Sequence, residues 1–140
     1  MKKHTIEQKM IEIPFLLLLG GESYYCIELA YRGRSHWSMM VCGALCFLAI
    51  YRINEYWQEK PLLLRALAGA GVITVIEFLT GCIVNLWLDW NVWDYSNLPY
   101  HILGQICLPF SLVWFLLCIP VCGICKLVRK TVFLEHAKKI

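Results

Sequence analysis

The sequence predicts an all-α membrane protein, a bundle of four transmembrane helices built as two helical hairpins with both termini cytoplasmic. Three observations lead there. Of the 140 residues, 59% are hydrophobic and only 16% are charged, with a mean hydropathy of +0.59. Soluble domains instead average about 45–50% apolar and about 25% charged residues. The apolar residues also gather into four runs, each near the ~20 residues needed to cross ~30 Å of hydrocarbon. Finally, 11 of the 13 lysines and arginines fall in segments that four spans place on one side, which is how cytoplasmic segments are marked.

Residues 1–10 form a basic, polar N-terminus. The first span covers about 11–31, with Pro14 near its start, where a helix tolerates it. Its P-F-L-L-L-L-G-G half looks like a signal-peptide core. The apolar pattern runs on without a small-x-small cleavage site, so an uncleaved span is expected. Y-R-G-R-S-H (31–36) is a tight polar connection to the second span, about 37–53. N-E-Y-W-Q-E-K-P (54–61) reads as a charged loop. The third span, about 62–88, is interrupted only by Arg65 and Glu77; the fourth covers about 106–127, and a basic tail occupies 128–140. The cytoplasmic bases are Lys2, Lys3, Lys9, Arg52, Lys60, Arg65, Lys126, Arg129, Lys130, Lys138 and Lys139; only Arg32 and Arg34 lie opposite. The length allows one compact unit and no second domain of ordinary size. A bacterial cytoplasmic membrane is the expected location.

One stretch departs from the apolar monotony: N-V-W-D-Y-S-N-L-P-Y-H-I-L-G-Q-I-C, residues 91–107. Trp93 and Tyr95 are side chains that favour the membrane–water interface. Pro99 lacks a backbone donor, so Asn97-Leu98-Pro99 breaks any helix and turns the chain at Tyr100. The segment reads as an interfacial cap between the third and fourth spans. It carries Asp94, Ser96, His101 and Gln105, polar groups that the spans themselves do not need.

Carboxylates inside spans are costly, about 2.5 kcal/mol or more at a helix centre, and are functional or paired. The first span carries Glu22, near the midplane, and Glu28; the third carries Glu77. Glu28 precedes Arg32 by four residues, the favourable order for a helical ion pair. Gly81 and Asn85 follow Glu77 at successive four-residue steps, putting an acid, a gap and an amide on one face. Ala66, Ala68, Gly69, Ala70 and Gly71 permit close packing of the same helix. A structural hydrogen-bonded seam explains that face as well as a site does. A short internal echo fits paired hairpins: Ile27-Glu28-Leu29 with Ile76-Glu77-Phe78, and Gly43 and Cys46 with Gly104 and Cys107.

Six of the eight cysteines (26, 42, 46, 82, 107 and 118) lie within or beside apolar runs, where a thiol acts as a small hydrophobe. Cys118, Cys122 and Cys125 have a spacing that suits a metal, but no fourth ligand lies nearby. No metal or cofactor is expected; lipidation of that cluster is the alternative. No basic stripe with interleaved aromatics supports nucleic-acid binding. His36, with Asp94 and a serine, has the residue types of a hydrolytic triad, yet no G-x-S-x-G elbow is present.

G-G-E-S-Y-Y-C-I-E-L-A-Y-R-G-R-S-H-W-S-M (20–39), I-E-F-L-T-G-C-I-V-N (76–85) and V-W-D-Y-S-N-L-P-Y-H-I-L-G-Q-I-C-L-P-F-S (92–111) carry a resemblance that spans about residues 15–125. By these motifs the chain resembles the putative ABC-transporter type IV family, small bacterial multi-spanning proteins also called CmpB-like. Family members often have Asn where this chain has His101. The resemblance implies a permease-like subunit handling an unidentified solute. No G-x-x-x-x-G-K-[ST] phosphate loop occurs in the chain, so ATP would be hydrolysed by a separate subunit. Four short spans enclose little volume, which favours a homo-oligomer or partner subunits within the lipid bilayer. The expected extracytoplasmic site joins Glu28, Arg32, Arg34, Ser35 and His36 to Trp93, Asp94, Tyr95, Ser96 and Gln105, and leads inward to Glu77 and Asn85. Two other readings stay open. One is a structural or assembly protein whose polar groups stitch four helices together. The other is a membrane-embedded enzyme acting on lipid or envelope substrates, with Asp94, Glu28 or His36 as acid or base and the arginines holding an anion.

Overall fold

A computed structural model describes residues 6–33 and 35–131. Arg34, Lys2, Lys3, Lys138 and Lys139 therefore lie outside the described residues. Four helices, each long and apolar enough to cross a membrane, make up the bundle. They are α1 (Ile6–Arg32), α2 (Trp37–Tyr56), α3 (Leu62–Gly81) and α4 (Leu108–Thr131). A π-helical stretch, Cys82–Trp87, continues α3, and β1 (His101–Ile102) pairs antiparallel with β2 (Ile106–Cys107) before α4. In hydrocarbon a chain must satisfy its own backbone polar groups, and an unbroken helix does so locally. The bundle has two unlike ends. One carries the 33–36 and 88–107 connections, called here the loop end. The other carries the 57–61 connection and the terminal ends of α1 and α4, called the termini end.

Three boundaries differ from the sequence expectation, each for a physical reason. α1 starts at Ile6, ahead of its membrane-spanning part at Met10–Arg32, so Pro14 is near the start of the span but inside the helix; it removes one ladder hydrogen bond there, as Pro120 does in α4. α2 runs on to Tyr56, because Asn54 is not a loop residue but is packed inside the bundle, 1% exposed. α4 begins at Leu108, because residues 101–107 pair with each other as a small hairpin, His101 opposite Cys107 and Ile102 opposite Ile106. The hairpin also breaks half of the internal echo. Gly43 and Cys46 are helical, whereas Gly104 turns the chain at φ +70° and Cys107 sits on β2.

α1 packs mainly on α2, and α3 mainly on α4, giving two hairpins. α2 also lies against α3 and α4, while α1 and α4 barely touch. The core between them is built from Leu16, Ile50, Tyr51, Ala66, Ala70, Ile73, Trp114 and a set of thiols. Cys42, Cys46, Cys118 and Cys125 are buried there as small apolar side chains. The α1–α2 contact depends on absent side chains. A Cβ at Gly43 would stand 2.5 Å from Cβ of Tyr24, closer than packed atoms allow. At Gly71 a Cβ would meet nothing within 4 Å.

Gly43→Ala should therefore destabilise the bundle by about 1–3 kcal/mol, the usual cost of overpacking. Gly71→Ala should change stability by no more than about 0.5 kcal/mol, as an open site allows. Thermal unfolding of both variants in detergent checks the contrast; equal losses would contradict the packing described.

Candidate functional site

Glu77 is the focus of the loop end. It sits about 15 Å below the end of the third span at Trp87, at 1.5 Å per residue, and is only 3% exposed. Its two oxygens have separate donors. Tyr95 Oη donates to Oε1 at 2.7 Å, and the Trp114 indole Nε1 donates to Oε2 at 3.0 Å. Tyr95 comes from the 88–107 segment and Trp114 from α4, so one carboxylate joins three parts of the chain. Stacking of Tyr95 on Phe110, with centroids 4.8 Å apart and planes 13° from parallel, fixes the phenol's direction.

A second anchor lies one helical stretch further on. The π-helical turn adds a residue per turn, an irregularity often found at functional positions, and it ends by taking Leu88 N–H to Ile83 O and Trp90 N–H to Val84 O. From it Asn85 points into the bundle. Asn85 Oδ1 accepts the backbone N–H groups of Val92 (2.7 Å) and Trp93 (3.4 Å), and its Nδ2 donates to Gln105 Oε1 at 2.8 Å. Trp93 Nε1 donates in turn to Gln105 O at 3.0 Å. The face of Glu77, Gly81 and Asn85 is buried throughout. The gap at Gly81 has a use: a Cβ there would lie 2.6 Å from Gln105 Oε1 and 2.9 Å from the Trp93 ring.

α1 joins the same network. Arg32 Nε pairs with Glu28 Oε2 at 2.9 Å, and Arg32 Nη2 donates to Val92 O at 3.3 Å. Tyr24 Oη donates to Glu28 Oε1 at 3.2 Å, and the Tyr24 ring lies 6.2 Å from that of Trp114. Glu28–Arg32 is thus more than a self-neutralising pair, since it ties the end of α1 to the 88–107 segment.

The structure brings together Glu28, Arg32, Glu77, Asn85, Trp93, Tyr95 and Gln105. It sets the other expected residues apart. Asp94 is exposed, and its Oδ1 accepts the Ser96 N–H at 2.9 Å in a local turn. That backbone donor, helped by the Ser96 hydroxyl, holds the Asp94 carboxyl below the usual range. His36 caps α2: its Nδ1 accepts the Ser38 N–H at 3.2 Å, and its ring meets Trp37 and Trp90. Ser35 Oγ is buried with no partner among the described residues, and Arg34 is outside them. No hydrogen bond among the described residues links His36 to Asp94, so a triad has no geometric support. Glu22 is exposed on the outer surface of α1.

A cavity of about 380 Å³ adjoins Glu77. Tyr24 and Ile27 of α1, Met39, Cys46 and Ile50 of α2, Ile73 and Glu77 of α3, and Trp114, Leu117 and Val121 of α4 are among its walls. Apart from Glu77, Ser23 and Tyr24, its lining is apolar. Among the described residues no group of three or more His, Cys, Asp or Glu is placed to hold a metal.

The termini end holds a polar knot that the sequence reading passed over. Arg65 Nη1 donates to Asn54 Oδ1 at 2.7 Å, Asn54 Nδ2 to Ile50 O and to Cys122 Sγ, and Arg129 Nη1 to Asn54 O at 3.2 Å. Arg52 bridges Glu12 (3.1 Å) and Glu55 (2.6 Å). Glu12 is 1% exposed. All four helices contribute. A carboxylate, Glu12, in the second residue of an apolar run was the available signal.

Burial, and after it the neighbouring Glu77 carboxylate, push the Tyr95 phenol well above its usual value. A raised folded value means that the proton is retained by the folded form after the unfolded form has lost it. The stabilising contribution of Tyr95 is then complete below about pH 10, the ordinary tyrosine value, and falls as pH rises beyond it. In an ultraviolet phenolate titration, the folded protein and its Tyr95→Phe variant should show the same absorbance rise around that pH. A rise missing only from the variant would contradict the buried Tyr95–Glu77 bond.

No curated protein and no solved structure matches the chain. A family model described as "Putative ABC-transporter type IV" matches residues 1–140, the whole chain. With four helices fit to span a membrane and a full-length match, the chain belongs to the family of membrane proteins described as "Putative ABC-transporter type IV".

Proposed function

We propose that this chain is a permease-like membrane subunit that handles a solute through the Glu77 site, with ATP hydrolysed by a separate subunit. The gathering of 11 of the 13 bases in the terminal segments and around the 57–61 connection, Arg52, Lys60 and Arg65 among them, supports cytoplasmic termini; the loop end and the site then face the extracytoplasmic side of a bacterial cytoplasmic membrane. One observation carries the reading: Glu77 is at once a wall of the cavity and the anchor of the 88–107 segment. A carboxylate at that depth costs about 2.5 kcal/mol or more, so its position calls for a use. A solute group that donates to Glu77 would replace Tyr95 or Trp114 as donor. Either replacement loosens the segment from the helices, which couples occupancy to a change at the loop end.

A structural reading has its own support, because both Glu77 oxygens already have donors within the chain. The two readings part on one substitution. Glu77→Gln keeps the shape and one acceptor oxygen but removes the charge. It should abolish the change in solute content that expression of the chain produces in cells, while the variant stays inserted and thermally stable. An undiminished change in solute content in cells carrying folded Glu77→Gln would sink the permease reading; loss of folded protein would leave the seam as its only role.

A further inference from the structure

We propose that the cavity between α1 and α4 binds a single long hydrocarbon chain of a membrane amphiphile, entering sideways from the bilayer. The two helices that flank it barely touch. Ile27 on one side and Ile124 on the other both line the cavity and are about half exposed, at 51% and 47%. The opening therefore lies on the lateral surface of the bundle, where the surroundings are lipid tails rather than water. Its walls select for the same chemistry. Phe47, Ile73, Leu117 and Val121 offer no hydrogen bonds, so water has no partners along most of its length.

The dimensions fit one chain. From Met39 to Ile50 the cavity follows α2 for 11 residues, about 17 Å at 1.5 Å per residue. That is a little over half of a ~30 Å hydrocarbon core, the depth of one leaflet. A cavity of about 380 Å³ falls at the lower end of the ~300–1,000 Å³ range of small-molecule sites. The polar atoms gather toward the loop end, at Glu77 and Tyr24, so the chain enters with its head toward the loop end and its tail toward Ile50 and Ile124. An interior left empty at this size is rare in packed proteins. In a bilayer the nearest filler is an alkyl chain.

The inference deepens the permease-like reading and rests on it for the role of Glu77. Occupancy of the cavity is a separate matter and can be tested alone. The protein is placed in phosphatidylcholine nanodiscs with stearic acid, or with phosphatidylcholine, bearing a mid-chain diazirine. After illumination, the labelled residues are mapped by mass spectrometry. Labels are expected on Cys46 and Leu117 within the cavity, as well as on the outward Leu79 and Leu112. Cys46 is 8% exposed and meets a lipid chain only through the cavity. Labelling by the phosphatidylcholine probe identifies a bilayer lipid as occupant, and labelling by stearic acid alone identifies a single-chain amphiphile. Either supports the proposal. Labels on Leu79 and Leu112 with none on Cys46 or Leu117 overturn it. Val121→Phe together with Leu117→Phe, which narrows the cavity, should weaken the Cys46 label relative to that on Leu79 while keeping the melting temperature; Leu117→Trp alone serves the same end should the pair not fold. An unchanged Cys46 label in a folded, narrowed variant also overturns the proposal. Absence of cavity labelling in the unaltered protein, beside intact Glu77-dependent solute handling, would remove the hydrocarbon ligand and leave the permease reading standing.

Discussion

Hydrocarbon offers no hydrogen bonds, so a polar side chain buried within this bundle is costly unless protein supplies its partner. Glu77 and Asn85 are the two groups on α3 and its π-helical extension that this constraint governs most strongly. Their partners are supplied by the 88–107 segment, through Tyr95 to Glu77 and through Gln105 and two backbone amides to Asn85. The segment without regular helix is thus ordered by what the helix cannot satisfy alone. Its left-handed residues fit that role: Asp89, Asn91, Tyr100 and Leu103 all have positive φ, strain that a weakly held loop would relax.

The four spans were legible because length and hydropathy alone decide them, and the face of Glu77, Gly81 and Asn85 because helical periodicity places it. Periodicity could say that an acid, a gap and an amide share a face, but not that Trp93 and Gln105 fill the gap. That pairing joins residues 12 or more positions apart, and no local signal encodes it. Asn54 was misplaced for the opposite reason. Beside Arg52, Glu55 and Lys60 it has the composition of a solvated loop, and partners arriving from α3 and α4, Arg65, Cys122 and Arg129, keep it inside. His36 and Asp94 have the right residue types for catalysis, but local geometry uses them first. One caps α2 and the other closes a turn.

The two ends of the bundle solve the same polar problem differently. At the termini end, charged groups from all four helices close on Asn54 and Glu12. At the loop end the network runs along one side, from Val92 through Arg32, Glu28 and Tyr24 to Trp114, Glu77 and Tyr95. Below it α1 and α4 part, and the cavity opens. A bundle fastened at both ends and open between them can admit a ligand without unpacking its core.

The Glu77–Tyr95 bond fastens the 88–107 segment to the helices. A double-mutant cycle with Glu77→Leu, which leaves Tyr95 no acceptor, and Tyr95→Phe, read as unfolding free energy in one detergent, tests this bond. A coupling of about 0.5–3 kcal/mol is expected, as for residues in one hydrogen-bond network. Additive effects of the two substitutions would contradict it.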